Sequence, residues 1–533
     1  MTDRFFNTAG PCRSEDHYML PPMERLPQLG RIIDQKGYFV LHAPRQTGKT
    51  TAMMALARQL TAAGRYVAVM VSMEVGAAFN DDPGTAELAI LDAWRRAAEA
   101  RLPLDLQPPA WPDAKVGQRI SAALGTWSRA APRPLVLFLD EIDALQDQAL
   151  ISVLRQLRDG YPDRPHAFPW SLALIGLRDV RDYKVASGGS NRLYTASPFN
   201  IKVRSFTLQG FSAEQVAALY QQHTDETGQP FTPEAVQRAF DLTQGQPWLV
   251  NALAYVITEE LLYQSQTPIT SDHVEQARKV LIARQDTHLD SLAEKLREPR
   301  VRHVIEPMLA GHALGDVPAD DRQYVVDLGL ARRDPAGGLV IANSIYREVI
   351  PRVLAGGPQD SLPSIQPTWL RPDGRLDPER LLDAFLAFWR QHGQPLLGSA
   401  PYHEIAPHLV LMAFLHRVAN AGGTLEREYA IGSGRMDVCL RYGPVLSGVE
   451  GPVLSGVEGP DTLAMELKVW RDGARDPLNE GLEQLDGYLS GLGLASGWLV
   501  IFDRREGQPP ISERTTASQA ASPGGRAITV IRA

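Results

Sequence analysis

Cysteine is almost absent from this sequence. Only Cys12 and Cys439 occur among its 533 residues. Two isolated cysteines form neither a disulfide framework nor a cysteine-rich zinc site, and such scarcity is typical of proteins from a reducing compartment. The sequence therefore argues against the class of secreted domains that disulfides hold together.

Long hydrophobic runs are also missing. No uninterrupted apolar stretch approaches the about 20 residues that a membrane-spanning helix needs. The N-terminus begins Met1-Thr2-Asp3-Arg4 and has no basic segment followed by an apolar core. We therefore expect a cytoplasmic protein with no membrane partner.

Positively charged residues are fewer than negatively charged ones. The chain has 54 Lys and Arg residues against 62 Asp and Glu, a formal net charge of −8. A global basic field that attracts nucleic acid is therefore excluded, and any such partner requires a local basic patch. At 533 residues the chain is too long for one hydrophobic core, which predicts about three or four domains.

The clearest motif is a loop of small residues between a predicted strand and a predicted helix. Residues 38–41 are apolar, residues 51–60 have a helical pattern, and the loop between them is Ala43-Pro44-Arg45-Gln46-Thr47-Gly48-Lys49-Thr50-Thr51. This order is typical of a P-loop, in which backbone N–H groups and a helix N-terminus bind phosphates. Ala43 replaces the usual first glycine. An ordinary glycine-capped turn is the alternative, which the order of strand, loop and helix disfavours.

We therefore predict that residues 43–51 bind ATP. Lys49 would reach the β- and γ-phosphates, and the Thr50 hydroxyl would ligate Mg²⁺.

A second motif begins with the apolar run of residues 135–139 and ends in Asp140-Glu141-Ile142-Asp143. A fully apolar strand is typical of the middle of a parallel sheet, and its acidic end would lie at the edge where such sheets bind ligands. Asp140 is suited to hold Mg²⁺ through water, and Glu141 to orient or deprotonate the attacking water. A solvated acidic turn is the alternative, and the upstream P-loop makes it the weaker one.

A further apolar strand over residues 171–175 precedes Arg178. Arg178 is the candidate sensor of the γ-phosphate, with a surface arginine as the alternative. Arg192 and Arg204 are arginine-finger candidates without further support. Aromatic residues ahead of the P-loop strand, over residues 5–18, would form either an adenine pocket or a packed N-terminal arm.

Together these motifs resemble the AAA+ superfamily, close to its STAND and archaeal-ATPase-like branches. Gly245-Gln246-Pro247 is similar to the Gly-x-Pro motif that opens a lid helix there, so the resemblance implies that Pro247 approaches the nucleotide. It covers about the first 355 residues. The implied domains are a P-loop core over 1–205, a helical lid over 206–270 and a winged helix over 271–355. Such winged helices bind DNA or pack against the ATPase, and the absence of a basic recognition helix favours packing.

Residues 356–379 are rich in Pro, Gly and Asp, which predicts a linker. Beyond it, strands are predicted over residues 424–431, 434–441 and 462–470; the second carries Asp437 and the third carries Glu466 and Lys468. Strand alternation places Glu466 and Lys468 on one face. Two carboxylates and a lysine suit a Mg²⁺ site for phosphodiester hydrolysis. The alternative is that Glu466 and Lys468 are ordinary charged residues on an exposed strand face.

An octapeptide, Gly-Pro-Val-Leu-Ser-Gly-Val-Glu, occurs at residues 443–450 and again without change at 451–458. Asp437 and Glu466 are 29 positions apart, and 13 remain once the 16 repeated residues are removed. That separation is natural for two hairpin-linked strands. The repeat therefore indicates an insertion in a surface turn, where loop extension costs little.

Residues 380–533 resemble the PD-(D/E)XK nuclease superfamily. The matching residues, in order, are Glu404, Gly434-Arg435-x-Asp437, Glu466-x-Lys468 and Glu483-Gln484-x-x-x-Tyr488. The resemblance implies that Asp437 and Glu466 are metal ligands, that Lys468 is the catalytic cation, and that Gln484 and Glu404 support them. The expected fold class is α/β: a P-loop AAA+ core with helical lid and winged helix, plus a C-terminal α/β PD-(D/E)XK nuclease-like domain.

One observation counts against a nucleic-acid substrate. From Arg380 onward there are 14 Lys and Arg against 17 Asp and Glu, which is not the basic surface that phosphate backbones prefer. Either a local groove, an oligomer of this chain or a partner supplies that charge, or the nuclease fold serves a different role.

The sequence thus predicts an ATP- and Mg²⁺-dependent ATPase whose nucleotide state controls a C-terminal nuclease acting on nucleic acid. By analogy alone, this pairing suggests antiviral or mobile-element defence. The alternative is a signalling or scaffold NTPase whose C-terminal domain binds a nucleic acid or a protein without cutting it.

Overall fold

Short apolar runs in the first 210 residues form the strands of a parallel sheet. The computed structural model describes residues 4–177, 201–284, 294–309, 314–335, 337–361, 367–373, 375–399, 406–419, 423–431, 434–442 and 461–533. Its first sheet contains β1 (Tyr38–His42), β2 (Val67–Ser72), β3 (Leu135–Asp140), β4 (Ser171–Gly176) and β5 (Arg204–Thr207). The order is β2-β3-β4-β1-β5, with every neighbouring pair parallel. The carboxyl ends of β1 and β3 therefore meet at one edge of the sheet, as the two motifs predict.

Both faces of this sheet are covered at its centre, which explains why its central strands are largely apolar. Side chains alternate along β3, so that Leu137 lies in a core with Trp94 and Trp127. Phe138 lies in the opposite core with Met53 and Leu56. Since a strand buried on both faces has no solvent side, its sequence is a continuous apolar run.

The fifth strand is a correction to the expectation that residues from 206 onward are helical. Arg204–Thr207 forms β5, which pairs with β1 from Phe39–Arg204 to His42–Thr207. Only Phe206 of its four residues is buried. A strand this short at the sheet edge has too few alternating positions to identify it in the sequence.

Helices surround this sheet and continue beyond it. In chain order they are α1 (Leu29–Asp34), α2 (Lys49–Ala62), α3 (Pro83–Arg101), α4 (Arg119–Ala130), α5 (Asp147–Asp159), α6 (Ala213–Thr227), α7 (Pro233–Thr243), α8 (Pro247–Tyr255) and α9 (Ser271–Arg284). A π-helix, Val256–Leu261, follows α8. The sequence Ser212-Ala213-Glu214-Gln215 predicts a capping box, which is confirmed at α6, where Ser212 and Gln215 exchange hydrogen bonds between side chain and backbone. Residues 23–35 have a sequence that predicts one helix, whereas the structure has a 3-10 helix, Pro22–Arg25, followed by α1.

The chain divides into two compact units. The first unit contains Met1–Leu292 and Val317–Tyr346, and the second contains Ala293–Asp316 and Arg347–Ala533. Residues 271–355, which were expected to form one winged helix, therefore contribute to both. Within them the structure has α10 (Pro299–Leu309), α11 (Ala319–Asp327), β6 (Ala331–Arg333), β7 (Leu339–Ile341) and the start of α12 (Ser344–Ser361). Two short apolar runs around the turn residues 334–338 predict a hairpin, which is confirmed, since β6 and β7 pair antiparallel.

The second unit has its own mixed sheet. Its strands are β8 (Gly423–Ile431), β9 (Gly434–Tyr442), β10 (Asp461–Trp470), β11 (Ser496–Asp503), β12 (Thr516–Ala521) and β13 (Ala527–Arg532), in the order β12-β13-β11-β10-β9-β8. The helices are α13 (Pro378–Ser399), α14 (Ala406–Ala419), α15 (Leu478–Leu492) and α16 (Ile511–Arg514). Helix α15 packs Leu485 and Leu489 against Leu499 and Ile501 of β11.

The polar sequence of residues 512–526 predicts a loop, whereas the structure contains most of α16 and all of β12 there. The six residues of β12 are exposed except for one that is half-buried, so they show no apolar alternation. Main-chain pairing with β13, from Thr516–Arg532 to Ala521–Ala527, holds this edge strand in place.

Within the described ranges, the structure contains no helix that is both long and apolar enough to cross a membrane.

Candidate functional site

The predicted phosphate loop joins β1 to α2, and its backbone turns twice through the left-handed region. Gln46 has φ 57°, and Gly48, the residue before α2, has φ 89°. A glycine adopts this conformation without steric cost, which explains Gly48. Ala43 and Thr47 are buried, whereas Arg45 and Gln46 are exposed. The Thr47 hydroxyl donates to the Pro44 carbonyl at 2.8 Å, a hydrogen bond that stabilises the loop internally.

Lys49 is the first residue of α2, and its ammonium lies against the loop. Its Nζ donates to the carbonyls of Ala43 at 2.7 Å and Pro44 at 2.9 Å. Burial lowers the pKa of Lys49 to about 8, while Asp143 and Asp140 oppose that shift. The group is thus a cation at neutral pH, placed where a phosphate on the loop would meet it.

Thr50 and Asp140 are brought together by the adjacent ends of α2 and β3. The Thr50 Oγ1 donates to Asp140 Oδ2 at 2.8 Å, and Asp140 Oδ1 accepts from the Glu141 backbone at 3.1 Å. Burial is the main cause that raises the pKa of Asp140. A hydroxyl and a carboxylate are the hard oxygen donors that Mg²⁺ prefers, with phosphates and water completing its shell. The described residues contain no group of three or more His, Cys, Asp or Glu side chains that could hold a metal alone, so this pair fits a metal shared with a nucleotide.

Glu141 follows β3 in a left-handed conformation, with φ 56° and ψ 41°. Partial burial and then the neighbouring Glu74 raise the pKa of Glu141 to about 7. Glu74 begins the 3-10 helix Glu74–Phe79 directly after β2, and β2 pairs with β3 up to Ser72–Asp140. The local sequence gives no sign of this role for Glu74, because only the pairing of β2 with β3 brings the two carboxyl groups together.

Glu74→Ala is expected to shift the pH dependence of ATP hydrolysis. A general base must be deprotonated, so a Glu141 pKa of about 7 makes the rate rise as the pH increases through that value. Removing Glu74 lowers the Glu141 pKa, and the half-maximal rate should move to lower pH. The measurement is the rate at saturating ATP across this pH range, with the exposed Glu99→Ala as control. A midpoint shared by all three proteins would contradict the coupling.

Arg25 is a second residue that the sequence analysis missed. Its Nη1 donates to the Thr47 carbonyl at 3.0 Å, and its Nη2 donates to the Gln209 carbonyl. The guanidinium lies 4.9 Å from the centre of the Phe211 ring, and burial lowers its pKa to about 10. Arg25 thus connects the loop to the segment that leads into α6. A single arginine in a predicted helix gives no signal of this role.

The N-terminal arm connects the P-loop helix to α8. The Cys12 backbone donates to Thr51 Oγ1 at 3.1 Å, and Trp248 Nε1 donates to the Thr8 carbonyl at 2.8 Å. Pro247 is the buried first residue of α8. Phe6 is fully buried among aromatic side chains of the helical region. The Phe6 ring is therefore part of the packed arm.

A family model described as an AAA-like domain matches residues 13–298. The chain belongs to this family. The match includes the loop, β3 and α8, so the AAA-like domain is the P-loop ATPase part of the chain. The predicted membership among AAA-type ATPases is thus confirmed. Membership of the STAND branch stays a prediction.

Several solved structures are similar to this chain. A Walker-type ATPase of Pyrococcus abyssi is 12% identical with a TM-score of 0.45, covering 65% of this chain and 99% of its own. The Thermotoga maritima RuvB Holliday junction branch migration motor is 15% identical with a TM-score of 0.33, covering 61% and 91%. The Aeropyrum pernix ORC1 protein in complex with DNA is 16% identical with a TM-score of 0.34, covering 64% and 94%. No curated protein matches the chain.

The turn after α11 lies directly against the loop of the AAA-like domain. A Cβ atom added to Gly329 would lie 2.7 Å from Cβ and 2.8 Å from Cγ of Pro44. Gly329 also has φ 77°, so both its conformation and its surroundings require glycine. The residues around the β6–β7 hairpin therefore contact the segment whose carbonyl accepts from Lys49.

Gly329→Ala is expected to raise the Kd for ATP about fivefold or more, equivalent to about 1 kcal/mol. The added methyl group would displace Pro44 and distort the loop. Gly338→Ala is the matched control, because Gly338 has φ 86° but no atom within 4 Å of an added Cβ. Titration with a fluorescent ATP analogue measures both. The control should lose stability but keep the Kd; equal Kd values for the two variants would refute the contact's role.

The second unit contains a separate polar cluster around Lys468 of β10. Its Nζ lies 3.1 Å from Glu466 Oε1 and donates to Gln484 Oε1 at 2.5 Å. The Glu466 and Lys468 side chains are 5% and 18% exposed, so this is a largely enclosed ion pair rather than surface decoration. Three of the predicted residues, on β10 and α15, are thus brought together.

Glu480 joins this cluster, although the sequence analysis selected Glu483. Glu480 Oε1 accepts from Lys468 Nζ at 3.3 Å and from Gln484 Nε2 at 3.3 Å. Glu480 and Gln484 are four residues apart on α15 and share a face, although Glu480, like Glu483, is exposed. Helical spacing relative to Gln484 was the signal that could have found it.

The strand register brings Asp437 beside this cluster. The ladder between β9 and β10 runs from Tyr442–Asp461 to Val438–Met465, and the next residues along the two strands are Asp437 and Glu466. Beyond that point β10 pairs with β11 as far as Trp470–Asp503. Asp437 and Glu466 are therefore neighbouring backbone positions where β9 ends its pairing with β10.

Four features singled out in the sequence cannot be placed. Arg178, Arg192, Glu404 and the repeat at residues 443–458 lie outside the described residues.

Proposed function

We propose that this chain is an ATP-hydrolysing AAA-like protein whose nucleotide state controls a Mg²⁺-dependent nuclease in residues 380–533. The ATPase part rests on the family match and on the loop geometry. The nuclease part rests on one observation: the enclosed contact of Lys468 with Glu466 and Gln484, beside the strand position of Asp437. The scarcity of cysteine supports a cytoplasmic location.

In the ATPase site, residues 43–51 would bind the phosphates through backbone N–H groups and the N-terminus of α2. Lys49 would neutralise charge on the β- and γ-phosphates. Thr50 and Asp140 would hold Mg²⁺, which supplies further positive charge to the phosphates when bound. Glu141, with its raised pKa, would accept a proton from the attacking water. Arg178 is proposed as the γ-phosphate sensor and Pro247 as the lid contact.

In the second unit, Asp437 and Glu466 would hold Mg²⁺, whose bound form activates water and polarises the phosphodiester. Lys468 would stabilise the negative charge that develops on the phosphate as the P–O bond breaks. Gln484 and Glu480 would hold the ammonium in position through their hydrogen bonds. Glu404 is proposed as a supporting residue, as the resemblance implies.

We propose that ATP controls the nuclease because the phosphate loop and the start of α2 contact several other segments of the first unit. Arg25 joins the loop to the start of α6, the N-terminal arm joins Thr51 to α8, and Gly329 packs on Pro44. A change at the phosphates would therefore reach the helical region and the β6–β7 hairpin. Signalling by a non-cleaving NTPase uses the same connections, and it remains the second candidate because the second unit has an acidic balance overall.

The test is incubation of the full chain with labelled DNA and RNA, with Mg²⁺ and with or without ATP. We expect cleavage of at least one nucleic acid, with a rate that depends on ATP. Hydrolysis of ATP without cleavage of any nucleic acid would refute the nuclease and favour the signalling function. A homo-oligomer would appear in light scattering of the same sample.

A further inference from the structure

Arg25 holds two backbone carbonyls that are distant from each other in sequence. It ends the 3-10 helix Pro22–Arg25, and it donates to the Thr47 carbonyl through Nη1 at 3.0 Å and to the Gln209 carbonyl through Nη2. Within the described part of the chain, no carboxylate pairs with this guanidinium, and its Nε–H is buried without an acceptor. Because the two carbonyls are the acceptors of a partly buried cation, losing either one would be costly.

The hydrogen bond to Thr47 fixes the peptide group that joins Thr47 to Gly48. A trans peptide group is planar, and its C=O and N–H point in opposite directions. Because Arg25 holds the carbonyl on its own side, the Gly48 N–H points to the other side. Donation from a cation also polarises the peptide group, which strengthens that N–H as a donor. In the proposed ATP site, the Gly48 N–H is one of the groups that bind phosphate.

The Gln209 carbonyl belongs to a segment that packs directly on the turn before α8. The Phe211 backbone donates to the Gly245 carbonyl at 2.7 Å. A Cβ atom added to Gly210 would lie 2.8 Å from the same carbonyl oxygen, and one added to Gly245 would overlap the Phe211 carbonyl. The two backbones therefore touch with no side chain between them. A displacement of this turn would be transmitted to residues 209–211.

We propose that Arg25 is a positioning residue for phosphate binding, because it sets the direction of the Gly48 N–H. Through the Gln209 carbonyl, it also makes that direction depend on the turn at Gly245. This inference rests on the proposed ATP site, and it adds a connection between phosphate affinity and the position of α8. A loop held in this way binds the phosphates equally in the substrate and in the transition state. Arg25 should therefore affect the KM for ATP more than the kcat.

Arg25→Met is the first variant, because it removes the charge and both hydrogen bonds but keeps an unbranched side chain. We expect it to raise the KM for ATP and the Kd for ADP about tenfold, the effect of losing a hydrogen bond to a charged group. The kcat should stay within about threefold of the wild type. A merely structural defect would reduce the fraction of active protein, and so lower the kcat at an unchanged KM. Steady-state hydrolysis and calorimetric titration of the full chain with Mg²⁺ and ADP measure these values.

Arg25→Lys is the conservative variant and keeps the fold under test. Lysine retains the charge and can donate to the Thr47 carbonyl, but it lacks the planar fork that holds two carbonyls at once. We expect a partial rescue, with a KM raised about threefold. Equal KM values for Arg25→Lys and Arg25→Met would contradict the role of a charged donor at Thr47.

Gly210→Ala tests the connection to α8 from outside the phosphate loop. Its added methyl group has to displace the Gly245 carbonyl, and we expect a KM raised about fivefold. In the double variant Gly210→Ala/Arg25→Met, the KM should equal that of Arg25→Met within about twofold, because the connection is already broken. Effects that multiply in the double variant would refute the connection.

The matched controls are two neighbouring residues on α1. Arg31 is exposed, and a Cβ atom added to Gly30 has no atom within 4 Å. Arg31→Met and Gly30→Ala should keep the KM and the Kd within about twofold of the wild type.

The outcomes separate this inference from the proposed ATP site. A wild type that binds ADP, with the same Kd and KM in Arg25→Met, would overturn the role of Arg25 and leave the ATP site intact. A wild type that binds no nucleotide would overturn both.

Discussion

Lys49→Ala is expected to lower the rate of ATP hydrolysis by about 10²- to 10³-fold. The Lys49 ammonium is held by the carbonyls of Ala43 and Pro44 at 2.7 and 2.9 Å, at the start of α2 where the phosphates would bind. Alanine removes a fixed positive charge from a partly water-excluded position, and no solvent ion replaces it there. Phosphate release at saturating Mg²⁺ and ATP measures the loss.

The control for this change is Lys115→Ala, because Lys115 is exposed and has no part in the loop. It should retain the wild-type rate. Titration with a fluorescent ATP analogue would show whether Lys49→Ala also weakens nucleotide binding, as expected for a residue that contacts the phosphates. An unchanged hydrolysis rate in Lys49→Ala would refute the placement of the nucleotide site.

Lys468→Ala is expected to abolish nucleic-acid cleavage while leaving ATP hydrolysis unchanged. The ammonium of Lys468 lies 3.1 Å from Glu466 and 2.5 Å from Gln484, and its side chain is only 18% exposed. A cation in that position stabilises charge that develops on a phosphate, and losing such a group costs about 10²- to 10³-fold in rate. Timed gel assays of labelled DNA and RNA with Mg²⁺ and ATP measure the effect.

Lys295→Ala is the matched control in the second unit, since Lys295 is partly exposed and pairs only locally, with Glu298 at 2.8 Å. Its cleavage rate should equal that of the wild type. Cleavage that persists in Lys468→Ala would refute the role of this cluster. Lys49→Ala belongs in the same assay, because reduced cleavage in that variant would show that nucleotide state controls the nuclease.

The parts of the fold that the sequence predicts are those with local chemical signatures. The P-loop consists of nine consecutive residues, so its pattern is visible in the sequence. Its residue before α2 is Gly48, because glycine adopts the left-handed conformation without steric cost. Strand β3 is identified by an apolar run that ends in acids, and the β6–β7 hairpin by its turn residues. The edge strands β5 and β12 were not predicted, because they are short and mostly exposed. Their position depends on main-chain pairing with β1 and β13.

Residue types and their near neighbours are enough to identify the side chains suited to phosphate, magnesium and proton chemistry, because that chemistry is local. The distant residues that surround those side chains are visible only in the folded chain: Arg25 at the Thr47 carbonyl, Glu74 beside Glu141, Gly329 against Pro44, and Glu480 beside Lys468. Such contacts depend on which strands pair and which helices pack, and the local sequence does not show which of these pairings form.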